Sequence, residues 1–88
     1  MEAEEIAEEI FALVKNAQLL AENSGKSEID AGSLDKTFQE TLVERRGIPA
    51  SQITDAVRLL QKRQLIVVKP GAYMLTQHGR KVKHAREA

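Results

Sequence analysis

Residues Ile53 to Gly79 run ITDAVRLLQKRQLIVVKPGAYMLTQHG, and no single type of secondary structure accommodates that succession of patterns. Helical spacing of apolar residues as far as Leu60 gives way to the β-branched run Leu65-Ile66-Val67-Val68. Lys69-Pro70-Gly71 then turns the chain, and Ala72-Tyr73-Met74-Leu75 returns it as a second strand. Thr76 is placed to cap a further helix. A chain with this order must pack a helix directly against a two-stranded ribbon.

Size limits what else it can build. Surface scaling for 88 residues gives roughly 5,200 Å² exposed when folded against roughly 14,000 Å² unfolded. The expectation is one domain over 1–88 with one modest core. Apolar residues make up 42% and charged residues 30%, too hydrophobic for disorder and with no run that could span a bilayer. The chain has no cysteine, which excludes disulfides, thiol nucleophiles and thiolate metal sites. No secretory pattern is present at the N-terminus, so a cytoplasmic protein is expected.

A formal charge of zero hides a polarity. Residues 1–43 carry ten Asp/Glu and three Lys/Arg, whereas residues 44–88 carry three and ten, giving −7 and +7. Either the basic half meets a polyanion with the acidic half turned away, or the two halves pair with each other, within one chain or between two.

From Glu2 to about Asn23 nothing interrupts a helix, and Ala3, Ile6, Ile10, Leu13, Ala17 and Leu20 follow a 3-4-3-4-3 spacing. Phe11 and Val14 widen this to the stripe of a core helix. Its early turns, with Ala3, Ile6 and Ile10, are the candidate contact for a second subunit, and its acidic surface over 2–23 is a candidate contact for another protein. Asn23-Ser24-Gly25 ends it. Glu28-Ile29-Asp30 suits a very short strand, and Ser33 offers a cap to a second helix from Leu34 to about Arg46, with Leu34, Phe38 and Leu42 buried. Gly47-Ile48-Pro49 separates it from a third helix, which is a helix-turn-helix arrangement.

Stepping 100° per residue, the third helix buries Ile53, Ala56, Val57 and Leu60. Its other face presents Ser51, Thr54, Asp55, Arg58, Gln61 and Lys62, to which Gln52 adjoins. Short hydrogen-bonding side chains beside an arginine and a lysine are the groups that contact base edges and phosphates. Candidate DNA contacts are therefore Ser51, Gln52, Thr54, Arg58, Gln61 and Lys62, with Lys69 on the hairpin and Arg80 and Lys81 beyond it. Asp55 opposes this, since phosphate repels a carboxylate that does not accept from a cytosine amine or orient Arg58.

The run Val57-Arg58-Leu59-Leu60-Gln61-Lys62, then Leu65-Ile66, Gly71-Ala72-Tyr73 and Leu75-Thr76 with Gly79 resembles the winged-helix superfamily, broadly its small MarR- and PadR-like transcriptional regulators. The resemblance covers nearly the whole chain. It implies an α+β, mostly helical, winged helix-turn-helix fold of three helices, a small β-hairpin wing and a C-terminal helix. It also implies that Ala50 to Arg63 is the recognition helix and Lys69 to Ala72 the wing tip. The function expected is binding of double-stranded DNA by a homodimeric transcriptional regulator. The alternative is a winged-helix protein-interaction or dimerisation module, which the short wing, Asp55 and the acidic first half keep open.

Catalytic patterns are missing. His78 and His84 are six apart, off one helical face, and no Ser-His-Asp set or phosphate-cradling glycine loop occurs. No enzyme activity, cofactor or metal is expected.

Overall fold

The computed structural model describes residues 2–87, and it is an α+β arrangement in which helices predominate over a small antiparallel sheet. Helix α1 spans Ala3–Asn23 and buries Ile6, Ala7, Ile10, Phe11, Val14 and Gln18 along one face. It ends in a Schellman motif. Gly25 adopts φ +82°, Lys26 N–H reaches Ala21 O at 2.9 Å and Gly25 N–H reaches Glu22 O at 3.0 Å.

Strand β1, Ile29–Asp30, runs without a linker into helix α2, Ala31–Phe38. The Asp30 carboxylate accepts from Ser33 N–H at 2.9 Å and from the Ser33 hydroxyl at 3.1 Å. Asp30, rather than Ser33, is thus the cap, and the helix starts three residues earlier than the expected Leu34. A carboxylate at a helix N-terminus satisfies free amides and meets the positive end of the helix dipole.

The continuation Gln39–Glu44 is π-helical, with Arg45 N–H bonded to Glu40 O at 3.3 Å. A π turn contains more residues than an α turn. Side chains spaced by four therefore stay on one side, and Leu34, Phe38 and Leu42 are all buried.

Helix α3, Ala50–Lys62, buries Ile53, Ala56 and Leu60 against α1. Its exit is a second Schellman motif, with Leu65 N–H bonded to Leu60 O at 3.0 Å and Gln64 at φ +60° where glycine is usual. Strands β2, Ile66–Lys69, and β3, Ala72–Leu75, form the hairpin. Lys69 pairs with Ala72, so the loop is Pro70-Gly71 alone and does not extend into flanking residues. Gly71 at φ +79° supplies the conformation a type II turn requires. The sheet order is β1-β3-β2.

Two polar features lock this hairpin in place. Gln18 is 1% exposed. Its Oε1 accepts from Leu75 N–H at 3.0 Å, while its Nε2 donates to Ser27 O at 2.8 Å and to Glu22 Oε2 at 3.1 Å. Strand β1 pairs only as far as Tyr73, so the Gln18 amide satisfies the β3 backbone where the strand partner ends. On the other side, Thr76 caps helix α4, Gln77–Lys81, by accepting from Gly79 N–H at 2.8 Å. A Cβ on Gly79 would stand 2.2 Å from Leu65 O. This explains the Leu75-Thr76-x-x-Gly79 spacing: the helix can lie against the start of the hairpin only where no side chain intervenes.

Helix α4 is only five residues long. After Lys81 the chain extends, then makes a 3-10 turn at Ala85–Glu87, with Ala85 fully buried beside α1. Among the described residues, no helix is long and apolar enough to cross a membrane.

Gly79→Ala should lower stability by roughly 2–3 kcal/mol, because backbone rather than a flexible side chain must move. Gln18→Leu should cost about 2–4 kcal/mol by stranding Leu75 N–H and Ser27 O. Urea unfolding followed by circular dichroism measures both, and wild-type midpoints would contradict these assignments.

Candidate functional site

Because Ile53, Ala56 and Leu60 turn one side of α3 inward, Ser51, Thr54, Arg58, Gln61 and Lys62 are left exposed on the other. On the helical projection Thr54, Arg58 and Ser51 lie at the middle of this face, and Asp55 stands about 60° from Arg58 towards Gln52. Asp55 and Gln52 line a small depression of ≈140 Å³ with Ala3 and Ile6 of α1. The carboxylate therefore belongs to the α1 side of the helix, away from the centre of the polar face. Arg58 and Lys62 form no ion pair among the described residues. The Thr54 hydroxyl donates to Ala50 O at 3.3 Å and keeps its acceptor sites open.

The remaining candidate cations are placed differently. Lys69 Nζ is 2.6 Å from Glu28 Oε2, and Arg80 grips both oxygens of Glu22. Lys81 is exposed next to Arg80 without an ion pair among the described residues. These contacts belong to a larger pattern. Arg63 makes a two-pronged contact with Glu4, Arg46 pairs with Glu9, and Glu8 faces His84 and Arg86. Lys15 lies 4.7 Å from the centre of the Phe11 ring and donates to Val82 O. The two halves of opposite charge thus meet within one chain, through the exposed flank of α1. Sequence reasoning offered that pairing as one of two outcomes, but could not match partners as far apart as Glu22 and Arg80.

The expected subunit contact requires correction. Ile6 and Ile10 are 1% and 0% exposed within their own chain, and only Ala3 of that trio faces solvent. Side chains already covered by their own core have no surface to give a partner.

Tyr73 is buried, packs edge-on to Phe38 with ring centroids 6.1 Å apart, and donates its hydroxyl to Asp35. Burial first, then the Asp35 hydrogen bond, pushes its phenol well above the ordinary value. It ties β3 to α2 and is not available to stack on a base. His78 and His84 do not converge, and no cluster of three metal-ligating side chains occurs among the described residues. An open depression of ≈450 Å³ lies between the loop at Gly25 to Asp30 and the hairpin turn at Gly71-Ala72.

Comparison with protein-family models, curated protein sequences and solved structures finds no match. The geometry of α3 and its surroundings is thus the basis for a functional assignment.

The ion pairs make stability depend on pH. The Arg63 guanidinium holds Glu4 below the ordinary carboxylate value of 4.5, and Arg80 does the same for Glu22. The Ser33 backbone N–H and hydroxyl hold Asp30 below 3.8. Each group is more acidic folded than unfolded, so its contribution is complete above the unfolded value and is lost as pH falls through the folded one. The thermal midpoint should therefore drop as pH falls below 4.5, and a Glu4→Gln, Glu22→Gln double variant should show a flatter acid limb. Identical limbs in a series of melts would refute the linkage.

Proposed function

We propose that this chain is a winged-helix module that binds double-stranded DNA, with the exposed face of α3 in the major groove and Arg58 at its centre. The observation that carries the proposal is a central arginine with no carboxylate partner among the described residues, flanked by Ser51, Thr54, Gln61 and Lys62 on a packed helix. Such a face offers an arginine for guanine or phosphate and short side chains for neighbouring acceptors and donors. Support also comes from the element order helix, strand, two helices and hairpin, with strands in the order β1-β3-β2. This layout sets a helix beside a ribbon, as winged-helix DNA binders do.

Lys69 and Arg80 contribute less than their charge suggests. A phosphate must displace Glu28 or Glu22 before either cation is available, so these acids reduce affinity for any duplex. The same pairing favours the second reading, in which the winged helix contacts another protein and DNA binding is weak. Nothing in the arrangement calls for catalysis, and the proposed role is binding.

Duplex binding measured by fluorescence anisotropy across a salt series tests the proposal. Log affinity should fall with log salt at about −0.9 per phosphate neutralised. Arg58→Ala should cost about 1–3 kcal/mol on a selected site and less on random duplex. Glu28→Gln should raise affinity and steepen the slope by about one contact. Absence of duplex binding at low salt by wild type and Glu28→Gln alike would remove DNA as the partner and leave the protein-interaction reading.

A further inference from the structure

The second half of α1 has an outer surface unlike the rest of the helix. Leu19 and Leu20 are 57% and 59% exposed, the two most exposed large apolar side chains described. Ala12, Asn16 and Asn23 lie with them within an arc of about 100°, all exposed and none charged. Two depressions border this strip. One of ≈270 Å³ includes Ala12, Leu13 and Leu42, and one of ≈330 Å³ includes Ala17, Leu20 and Leu34. The intrachain ion pairs of Glu4, Glu8 and Glu22 occupy a different flank of α1, and the Glu9–Arg46 pair bounds the strip at its N-terminal end, beside Ala12. An uncharged stripe repeating at spacings of four and three, on a helix otherwise crowded with glutamates, is a helix-packing surface.

We infer that this face binds a second copy of the chain, with the two α1 helices antiparallel and their two-fold axis at Asn16. Charge at the ends of the strip selects both partner and direction. Glu5 lies on the same arc about 16 Å from Asn16 towards the N-terminus, exposed and without an ion pair among the described residues. Lys26 stands just beyond the other end, exposed, in no contact ion pair among the described residues though near enough to Asp30 to help hold its carboxyl acidic, and lining the same depression as Leu20. Antiparallel packing brings each Glu5 to the partner's Lys26, Ala12 opposite Leu20, and Leu13 opposite Leu19. Parallel packing would set Glu5 against Glu5 and provide no cation. Asn16 meets its own copy, where paired amides fix the register. The contact is isologous and closes as a dimer. The inward face of α1 packs on α3, so both polar α3 faces remain open, and the dimer stands independently of what α3 binds. Four turns of helix fall short of a standard interface of roughly 1,600 Å², which puts the equilibrium in the micromolar range.

Sedimentation velocity from low to high micromolar concentration should show monomer converting to dimer, and Leu20→Glu should raise the dissociation constant about tenfold or more. Glu5→Lys and Lys26→Glu should each weaken the dimer about two- to fivefold, while the doubly swapped chain recovers wild-type association. The chain lacks cysteine, so Asn16→Cys should give a disulfide-linked dimer on mild oxidation, and Glu5→Cys, far from the axis, should not. Circular dichroism establishes that each variant is folded. A wild type that stays monomeric throughout overturns the proposal, as does a folded Leu20→Glu that dimerises normally. Failure of the double swap to restore association, or equal crosslinking of both cysteine variants, overturns the antiparallel register.

Discussion

Every other element depends on α1 having an apolar face long enough to organise the whole molecule. Twenty-one helical residues extend about 31 Å, nearly the 34 Å length of the protein. Ile6, Ala7, Ile10, Phe11 and Val14 give α3 and the sheet a continuous surface to close on, and Gln18 completes it where β3 outruns its short partner strand. In a domain of this size there is one core, so an error in this helix would affect every contact at once. The core also closes within a single chain. Its radius of gyration, 12.0 Å, equals that expected for about 88 compact residues, and a dimer is not needed to complete it.

Electrostatics follow from the same packing. The flank of α1 beside the buried face carries Glu4, Glu8 and Glu22, and the basic C-terminal half folds back along it. Exposed ion pairs of this type contribute little individually to stability. Their larger effect is to decide which cations remain available. Arg58 and Lys62 form no ion pair among the described residues, whereas Lys69 and Arg80 share their charge with Glu28 and Glu22. A neutral protein thereby acquires a locally positive α3 face without a strongly basic surface.

Much of this was legible beforehand because it is written in local periodicity. The extent of α1, the buried Leu34, Phe38 and Leu42, the inward side of α3 and the Pro70-Gly71 hairpin follow from spacing and turn chemistry. The start of α2 was misplaced because Asp30 and Ser33 are both good caps, and only the strand leading into the helix favours Asp30. A heptad seam looks the same whether its first or its last turns are covered. Tertiary packing buries Ile6 and Ile10 and leaves Leu20 in solvent.

The amino-acid sequence by itself determined the order of elements and the residues that face inward, since apolar spacing and backbone-restricted residues act over one or two turns. Only the tertiary structure decided which charges of Ile53 to Gly79 are free, where Asp55 lies, and why Gly79 tolerates no side chain. Those properties arise from contacts between residues far apart in the chain. Glu28 meets Lys69, Ala3 and Ile6 border Asp55, and Leu65 O crowds Gly79. Local pattern carries no information about such distances until the chain has folded.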